Sequence, residues 1–270
     1  MLKQRIITAV VLAPIVLSGV FLLGIQGFAL FFAVVTLLGA WEWARLCGFI
    51  APVQRIVYVG LVFLSLAVCW LGGVVSFSVS ALIPAIILWC LCFFWVMKYP
   101  STVGWSDSIT RALLGVVLLT SAWLSLLYIK DHESGNAWIL LLLLVVWAAD
   151  IGAYFSGKRW GKTKLAPAVS PGKTREGLYG GVVAVALTSI IFSIWNELSL
   201  LASVYLSVMC VIVGVVSVMG DLLESMLKRN AGVKDSGTLL PGHGGVLDRI
   251  DSVIAAAPFF FIGLYFLPPM

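Results

Sequence analysis

The chain has 270 residues, of which 61% are hydrophobic and 11% are charged, whereas soluble domains contain about 45–50% apolar and about 25% charged residues. A mean hydropathy of +1.10 agrees with this composition and excludes a water-soluble domain. The formal net charge of +5 comes from so few residues that their positions along the chain carry more information than their sum.

Nine apolar runs along the chain have the length of a membrane-spanning helix, which needs about 20 residues with a range of roughly 17–25. These segments must be helical, because lipid offers no hydrogen-bond partners to backbone groups. Glycine, proline and serine mark most of the joints between them. We therefore predict an all-α polytopic membrane protein with about nine transmembrane helices. The predicted spans are 6–23, 28–46, 56–72, 79–97, 110–129, 137–157, 178–195, 201–219 and 252–267.

The distribution of basic residues predicts the orientation of these helices. Lys and Arg resist translocation and accumulate in cytoplasmic loops. If the N-terminus is cytoplasmic, all 17 Lys and Arg residues except Lys130 fall on the cytoplasmic side. We therefore expect the N-terminus and the polar loops 158–177 and 220–251 to lie in the cytoplasm, and the C-terminus to lie outside.

Polar residues are unevenly distributed between two regions of the chain. Residues 1–129, with about five transmembrane helices, contain few charged residues, and several of these are explained as interfacial residues at helix ends. The residues explained in this way are Glu42, Arg45, Lys98 and Asp107. Residues 130–270 carry both polar loops and are the predicted catalytic region.

The segment 220–229 continues the eighth span into the cytoplasm. As a helix it places Asp221, Ser225 and Lys228 on one face, at positions i, i+4 and i+7. Lys228 and Arg229 could instead be cations that favour the C-terminal end of a helix. Asp221 is harder to explain structurally, because a carboxylate at a span boundary is unfavourable without a cationic partner or a metal.

A glycine-rich loop, 231–245, leads to two acids three residues apart at the start of the ninth span, Asp248 and Asp251. Backbone N–H groups of such loops can contact phosphate oxygens, and nearby acids supply the ligands of a metal–phosphate site. Either acid alone could be a helix cap, but together with Asp221 they predict a divalent-cation site. His243 could act as a base, although its glycine neighbours favour a loop contact to phosphate or nucleotide.

The other polar loop contains two Gly-Lys-Thr tripeptides that resemble part of a phosphate-binding Walker A loop. Neither fits, because Ser156 and Pro167 stand where the first glycine is required. The stretch 158–164 could simply attract anionic lipid headgroups, whereas Lys173 and Arg175 are better candidates for a site. Asp150, near the inner end of the sixth span, is either a functional acid or a structural partner of a basic residue in this loop.

The polar residues of the second half resemble the signature of the phosphatidate cytidylyltransferase (CDP-diacylglycerol synthase) family. Asp150 and the stretch 170–174 resemble the region that precedes this signature. The residues that carry the resemblance are Ser225, Lys228, Arg229, Lys234, Asp235, His243, Gly244, Gly245, Asp248, Arg249 and Asp251. The first half resembles the family only in its pattern of spans.

The resemblance implies that CTP and phosphatidate give CDP-diacylglycerol and pyrophosphate, in phospholipid biosynthesis. It implies a Mg²⁺ cofactor, with a second cation as an open alternative. It also implies a homodimer surrounded by membrane lipid, in a bacterial inner membrane with the active site facing the cytoplasm. No nucleic-acid partner is expected.

The chemistry of this reaction agrees with the candidate residues. The lipid phosphate has a second pKa near 6 and is a competent nucleophile without a strong base, so the enzyme must align two anions and neutralise their charge. The predicted metal ligands are Asp221, Asp248 and Asp251, and the predicted catalytic residues are these acids with Ser225, Lys228 and Arg229. The predicted substrate-binding residues are Asp150, Ser170, Lys173, Thr174, Arg175, Lys234, Asp235, His243, Gly244, Gly245 and Arg249.

Two other functions remain as alternatives. Another membrane lipid-phosphate transferase, of the CDP-alcohol phosphotransferase class, would need a D-G-x2-A-R pattern, which does not occur in the sequence. A lipid or small-molecule transporter would place polar residues at the bilayer midplane along a crossing path. The polar residues here gather on one predicted side instead.

Overall fold

The computed structural model describes residues 2–72 and 79–269, and these ranges contain nine α-helices. Each predicted span overlaps one helix, which confirms the all-α prediction. A 3-10 turn, Val79–Leu82, leads into the fourth helix. The helices are α1 Leu2–Leu22, α2 Ile25–Leu46, α3 Pro52–Leu71, α4 Ile83–Lys98, α5 Ser108–Asp131, α6 Gly135–Trp160, α7 Arg175–Trp195, α8 Leu200–Asn230 and α9 Leu247–Tyr265.

Within the part of the chain that the structure describes, 7 helices are long and apolar enough to cross a membrane. These are α2 to α8, with α4 counted together with its 3-10 turn. Helix α1 contributes a shorter apolar segment, Val10–Leu22, and α9 begins with charged residues. The chain is therefore a multi-pass membrane protein, and membrane crossing by α1 and α9 stays a prediction.

A small β-hairpin interrupts the helical pattern and was not predicted. Strands β1, Lys164–Ala166, and β2, Ser170–Thr174, pair antiparallel, with Lys164 opposite Thr174. Thr174 also caps α7 by accepting a hydrogen bond from the amide of Gly177 at 3.1 Å. The hairpin thus fixes Lys173 directly before α7.

Close helix packing places the polar segments against one another. A Cβ added to Gly152 on α6 would lie 2.6 Å from the carbonyl oxygen of Gly180 on α7. A Cβ added to Gly220 on α8 would collide with the carbonyl oxygen of Asp251 on α9. Glycine allows both approaches, because any side chain would force the backbones apart. The contact between α8 and α9 brings Asp221 beside the turn of α9 that carries Asp251.

The N-terminal helices share one core with the C-terminal ones. A Cβ on Gly39 of α2 would lie 3.2 Å from Ile250 at the start of α9. The indole Nε1 of Trp43 donates to the carbonyl oxygen of Arg111 at 2.9 Å, which joins α2 to α5. The boundary predicted between residues 129 and 130 falls near the end of α5, and residues on both sides of it belong to one hydrophobic cluster. The separate catalytic role of residues 130–270 stays a prediction.

Candidate active site

A buried ion cluster joins α8 to α9. The Lys228 Nζ lies 2.8 Å from Glu224 Oε2, one helical turn away, and 2.6 Å from Asp248 Oδ1. The side chains of Glu224 and Asp248 are only 2% and 7% exposed. One lysine cannot neutralise two buried carboxylates, so this cluster must hold either a proton or a further cation.

Asp248 is surrounded by donors. Its Oδ2 accepts hydrogen bonds from the Ser236 amide at 3.0 Å, the Ser236 hydroxyl at 2.9 Å and the Gly245 amide at 2.7 Å. Burial alone would raise the pKa of Asp248, but the hydrogen bonds from Lys228 and Gly245 outweigh it, so that the pKa is lowered from its usual value. Asp248 therefore carries a full negative charge at neutral pH.

Glu224 and Asp251 form a second pair of acids across the same helix contact. Glu224 Oε1 is buried and accepts no hydrogen bond from the described residues. The carboxyl group of Asp251 interacts with that of Glu224, and Asp251 Oδ1 accepts a hydrogen bond from the neighbouring Ser252 amide at 2.6 Å. Two carboxyl groups that interact in this way are stabilised by a proton shared between them or by a bound cation.

Lys173 brings the hairpin to α8. Its Nζ lies 2.6 Å from Asp221 Oδ2, and the Ser225 hydroxyl donates to Asp221 Oδ1 at 3.2 Å. The predicted helix face is therefore present for Asp221 and Ser225, whereas Lys228 turns toward Glu224. Asp221 and Lys173 stay partly exposed, at 33% and 23%, so both remain accessible to a ligand.

A cavity of about 360 Å³, called the hairpin cavity here, lies between α6, α7, α8 and β2. Its polar lining includes Asp150, Lys158 and Lys173, and its apolar lining includes Leu178 and Val218. Asp150 interacts electrostatically with Lys173, Asp221 and Arg249, and both its functional role and the alternative, structural pairing with a base of the following loop, stay predictions.

A second cavity, of about 540 Å³ and called the loop cavity here, lies within the segment 234–249. Arg249 donates from Nη2 to the carbonyl oxygen of His243 at 3.1 Å. His243 Nδ1 is buried and has no hydrogen-bond partner among the described residues. The predicted substrate-binding residues that line this cavity are Lys234, Asp235, His243, Gly244 and Arg249.

The remaining predicted residues are placed around this centre. Arg229 donates from Nε to the carbonyl oxygen of Val169 at 3.4 Å, which links α8 to the turn between β1 and β2. Ser170 begins β2 and Thr174 caps α7. The side chain of Arg175 is exposed. The amide of Gly245 is already bonded to Asp248. Their substrate contacts stay predictions.

Two acids of this centre were not among the predicted residues. Glu42, explained from the sequence as an interfacial residue at a helix end, is instead 3% exposed and bonded to the loop before α9, so that explanation is wrong. The available signal was an acid within an apolar span, the same signal that singled out Asp150. Glu224 could have been found by its i, i+4 spacing from Lys228.

The fit of a divalent cation depends on which carboxylate oxygens are free. In the described ranges no three His, Cys, Asp or Glu side chains are arranged as a ready metal site. Asp248 is occupied by Lys228, Ser236 and Gly245, whereas Glu224 Oε1 has no hydrogen-bond partner among the described residues and Asp251 accepts from the backbone amide of Ser252. Carboxylate oxygens are the ligands that Mg²⁺ prefers, so the Glu224–Asp251 pair fits a cation, with Asp221 nearby.

Comparison with known proteins gives a match to the cytidylyltransferase family over residues 3–267. The chain is 46% identical over 261 residues to a phosphatidate cytidylyltransferase of Pseudomonas aeruginosa, covering 96% of each chain. It is 39% identical over 293 residues to the phosphatidate cytidylyltransferase of Haemophilus influenzae, covering 99% of this chain and 100% of that relative. Family and relatives both extend over the helices that build the ion cluster and the two cavities. The chain therefore belongs to the cytidylyltransferase family, together with phosphatidate cytidylyltransferases that match it along their full length.

Proposed function

We propose that this protein transfers a cytidylyl group from CTP to phosphatidate, giving CDP-diacylglycerol and pyrophosphate. The observation that carries the proposal is the pair of lysine–carboxylate contacts, Lys173–Asp221 and Lys228–Asp248, beside two cavities. Such pairs hold cations where two anionic substrates must meet. The full-length similarity to proteins named for this activity supports the same reaction.

The reaction exchanges one phosphate ester bond for another. An oxygen of the phosphatidate phosphate attacks the α-phosphorus of CTP, the bond from that phosphorus to the bridging oxygen breaks, and pyrophosphate leaves with the bond's electron pair. No proton needs to be removed, because the lipid phosphate is largely dianionic near neutral pH. The protein must align the reactants and neutralise charge that spreads over oxygens in the transition state.

The two cavities suit the two substrates. The hairpin cavity combines Lys173 with apolar residues such as Leu178 and Val218, which suits a phosphate carried by a lipid. The loop cavity has Lys234, His243 and Arg249 around exposed loop backbone, which suits a nucleotide triphosphate. Lys228 on α8, which contacts Glu224 and Asp248, would neutralise phosphate oxygens that the two substrates contribute.

The acids of the cluster would hold the cation. We propose that Asp221, Glu224 and Asp251 bind Mg²⁺ directly, and that Asp248 contributes through Lys228, with direct ligation by Asp248 as the alternative. When bound, Mg²⁺ supplies positive charge to the nucleotide phosphates. Ser225, hydrogen-bonded to Asp221, would donate its hydroxyl proton to a phosphate oxygen of a bound substrate.

The proposed function is tested by product formation. The purified protein is incubated with phosphatidate, Mg²⁺ and each nucleoside triphosphate in turn, and the lipid fraction is analysed by mass spectrometry. The expected product is CDP-diacylglycerol, formed with CTP and accompanied by an equal amount of pyrophosphate. Absence of any liponucleotide from a folded, detergent-solubilised protein would reject the proposal.

Removal of divalent cations is expected to abolish turnover. The excess of acids over lysines around Glu224 disfavours a polyanionic nucleotide unless a cation is bound. The measurement is the initial rate in excess EDTA, with metal removal verified by elemental analysis and with Mg²⁺ added back as the control. Full activity in the metal-free sample would contradict the proposed role of Asp221, Glu224 and Asp251.

We also propose that the site faces the cytoplasm of a bacterial inner membrane, and that the protein is a homodimer. The segregation of basic residues supports this orientation, and the bacterial origin of the relatives supports this membrane. The family resemblance supports the dimer.

A labelling experiment tests the orientation. Leu239 is 50% exposed in the loop before α9, and the variant Leu239→Cys is made in a chain whose native cysteines are replaced by serine. A membrane-impermeant thiol reagent is expected to label the introduced thiol only after the cells are opened. Labelling of intact cells would place the loop outside and contradict both the orientation and access to cytoplasmic CTP.

A further inference from the structure

The Glu42 carboxylate lies where α2 meets the loop that carries the predicted nucleotide-binding residues. It is 3% exposed. Its Oε1 accepts from the Val246 amide at 3.1 Å, and its Oε2 accepts from the Leu247 amide at 2.8 Å and the Ser236 hydroxyl at 3.0 Å. Two of these donors are the amides of the residue before α9 and of its first residue, so Glu42 supplies the negative group that a helix N-terminus favours.

The loop approaches Glu42 closely because it has glycines at two positions. A Cβ on Gly237 or on Gly245 would collide with the carboxylate oxygens of Glu42. A side chain at either position would displace the Glu42 carboxylate from its present contacts. These two glycines serve the contact with α2, rather than a contact with phosphate alone.

Ser236 connects Glu42 to the ion cluster. Its hydroxyl lies 3.0 Å from Glu42 Oε2 and 2.9 Å from Asp248 Oδ2, and its amide lies 3.0 Å from the same Asp248 oxygen. A hydroxyl has one proton to donate, so the two carboxylates share it. The other Asp248 oxygen contacts Lys228, which completes a chain of contacts from α2 to the lysine of α8.

From this chain of contacts we propose that Glu42 is a positioning residue of the active site. Through Ser236 and the first turn of α9 it fixes the orientation of Asp248, and thereby the position of Lys228. The proposal rests on the proposed function for its effect on turnover, but not for its structural effect. It assigns to the N-terminal helices a part in the reaction that their sequence does not indicate.

A simple helix cap would behave differently from a positioning residue. A cap needs only the amides of Val246 and Leu247, so removing the Ser236 hydroxyl would leave it intact. A positioning residue acts through Ser236, so loss of either group should disturb Asp248 in the same way. The two roles are therefore separated by comparing Glu42→Gln with Ser236→Ala and with the double variant.

Donors approach both oxygens of Glu42, so the amide group of Glu42→Gln must face at least one donor. We expect kcat for liponucleotide formation to fall by at least about tenfold in Glu42→Gln and in Ser236→Ala, with KM for CTP changed much less. The kcat of the double variant should be no more than about twofold below that of the less active single variant, because the two groups act in one chain of contacts. Arg45→Gln, one turn further along α2 and exposed, is the matched control and should turn over normally.

Amide hydrogen exchange provides a readout that does not need activity. In Glu42→Gln and Ser236→Ala, exchange at residues 245–248 is expected to accelerate by about tenfold or more while α5 and α6 keep their protection. If the parent chain forms no liponucleotide, the proposed function fails, yet exchange still tests the role of Glu42. Unchanged exchange at 245–248 in Glu42→Gln, parental kcat in either single variant, or losses that multiply in the double variant would each overturn the proposal. If Glu42→Gln does not fold, Ser236→Ala decides alone, since it retains the two amide contacts of Glu42.

Discussion

Replacing Lys228 by methionine is expected to reduce turnover by about a thousandfold, equivalent to ~4 kcal/mol of transition-state stabilisation. The ammonium group of Lys228 lies between Glu224 and Asp248 at 2.8 and 2.6 Å. Under the proposed function it also neutralises phosphate oxygens of the two substrates. The measurement is the initial rate with CTP and phosphatidate at saturating Mg²⁺.

Loss of Lys228 also affects folding, and the experiment must separate the two effects. Removing one partner of a buried ion pair leaves uncompensated charge and lowers stability by about 3–5 kcal/mol. The double variant Lys228→Met with Glu224→Gln removes one charge of each sign, so it should recover much of the thermal stability of the parent chain. If the double variant is well folded and also active, Lys228 is a structural residue and its catalytic assignment is wrong.

Lys98→Met is the matched control for Lys228→Met. Lys98 ends α4, is exposed and lies over the ring of Phe94. It has the same chemistry as Lys228 but lies outside the ion cluster, so its replacement should leave the rate unchanged. A similar loss of rate in both variants would show that any change of lysine harms the preparation.

The helices were predictable from the sequence because lipid restricts the backbone so strongly. Every apolar run of about 20 residues formed a helix, and α8 continues beyond its predicted apolar end at 219 to Asn230, as the spacing of Asp221, Ser225 and Lys228 indicated. The hairpin 164–174 was not predictable in the same way. Its strands have 3 and 5 residues, too few for an alternating pattern to be recognised.

Contacts distant in sequence could not be predicted. The sequence gives no reason to join Glu42 to Ser236 or Leu247, since the contacts depend on how α2 packs against the start of α9. From the sequence, the glycines of the loop were interpreted as contacts to phosphate. The structure shows that a side chain at Gly237 or Gly245 would collide with Glu42, which the sequence could not indicate. Helix spacing located Asp221, Asp248 and Asp251 but neither Glu224 nor the donors around these acids.

The donors around Asp248 and Asp251 decide how asparagine should act at each position. As helix caps, both acids could be replaced, because Asn caps a helix nearly as well as Asp. Glu42 accepts from the amides of Val246 and Leu247. Asp248 instead accepts from Ser236 and Gly245, before the helix, and Asp251 accepts from Ser252 within it, so neither acid makes the contacts of an N-cap. The remaining explanations are metal ligation and, for Asp248, the contact with Lys228.

Asp251→Asn and Asp248→Asn are each expected to lower turnover by a hundredfold or more, about 3 kcal/mol. Their stabilities should differ. The side-chain amide introduced by Asp251→Asn can donate to the Glu224 oxygen that otherwise lacks a donor, so this variant should unfold at the same temperature as the metal-free parent or higher. Asp248→Asn loses the ion pair with Lys228 and should unfold at a lower temperature.

Thermal unfolding with and without Mg²⁺ gives a further distinction between the two acids, because a cation that binds only the folded chain raises the unfolding temperature. The parent should respond to Mg²⁺, and Asp251→Asn should not. Initial rates are measured against CTP and Mg²⁺, with folded yield checked by size-exclusion chromatography. Near-normal rates in both well-folded variants would contradict the assignment of these acids to the metal site, and a normal Mg²⁺ response in Asp251→Asn would exclude Asp251 as a ligand.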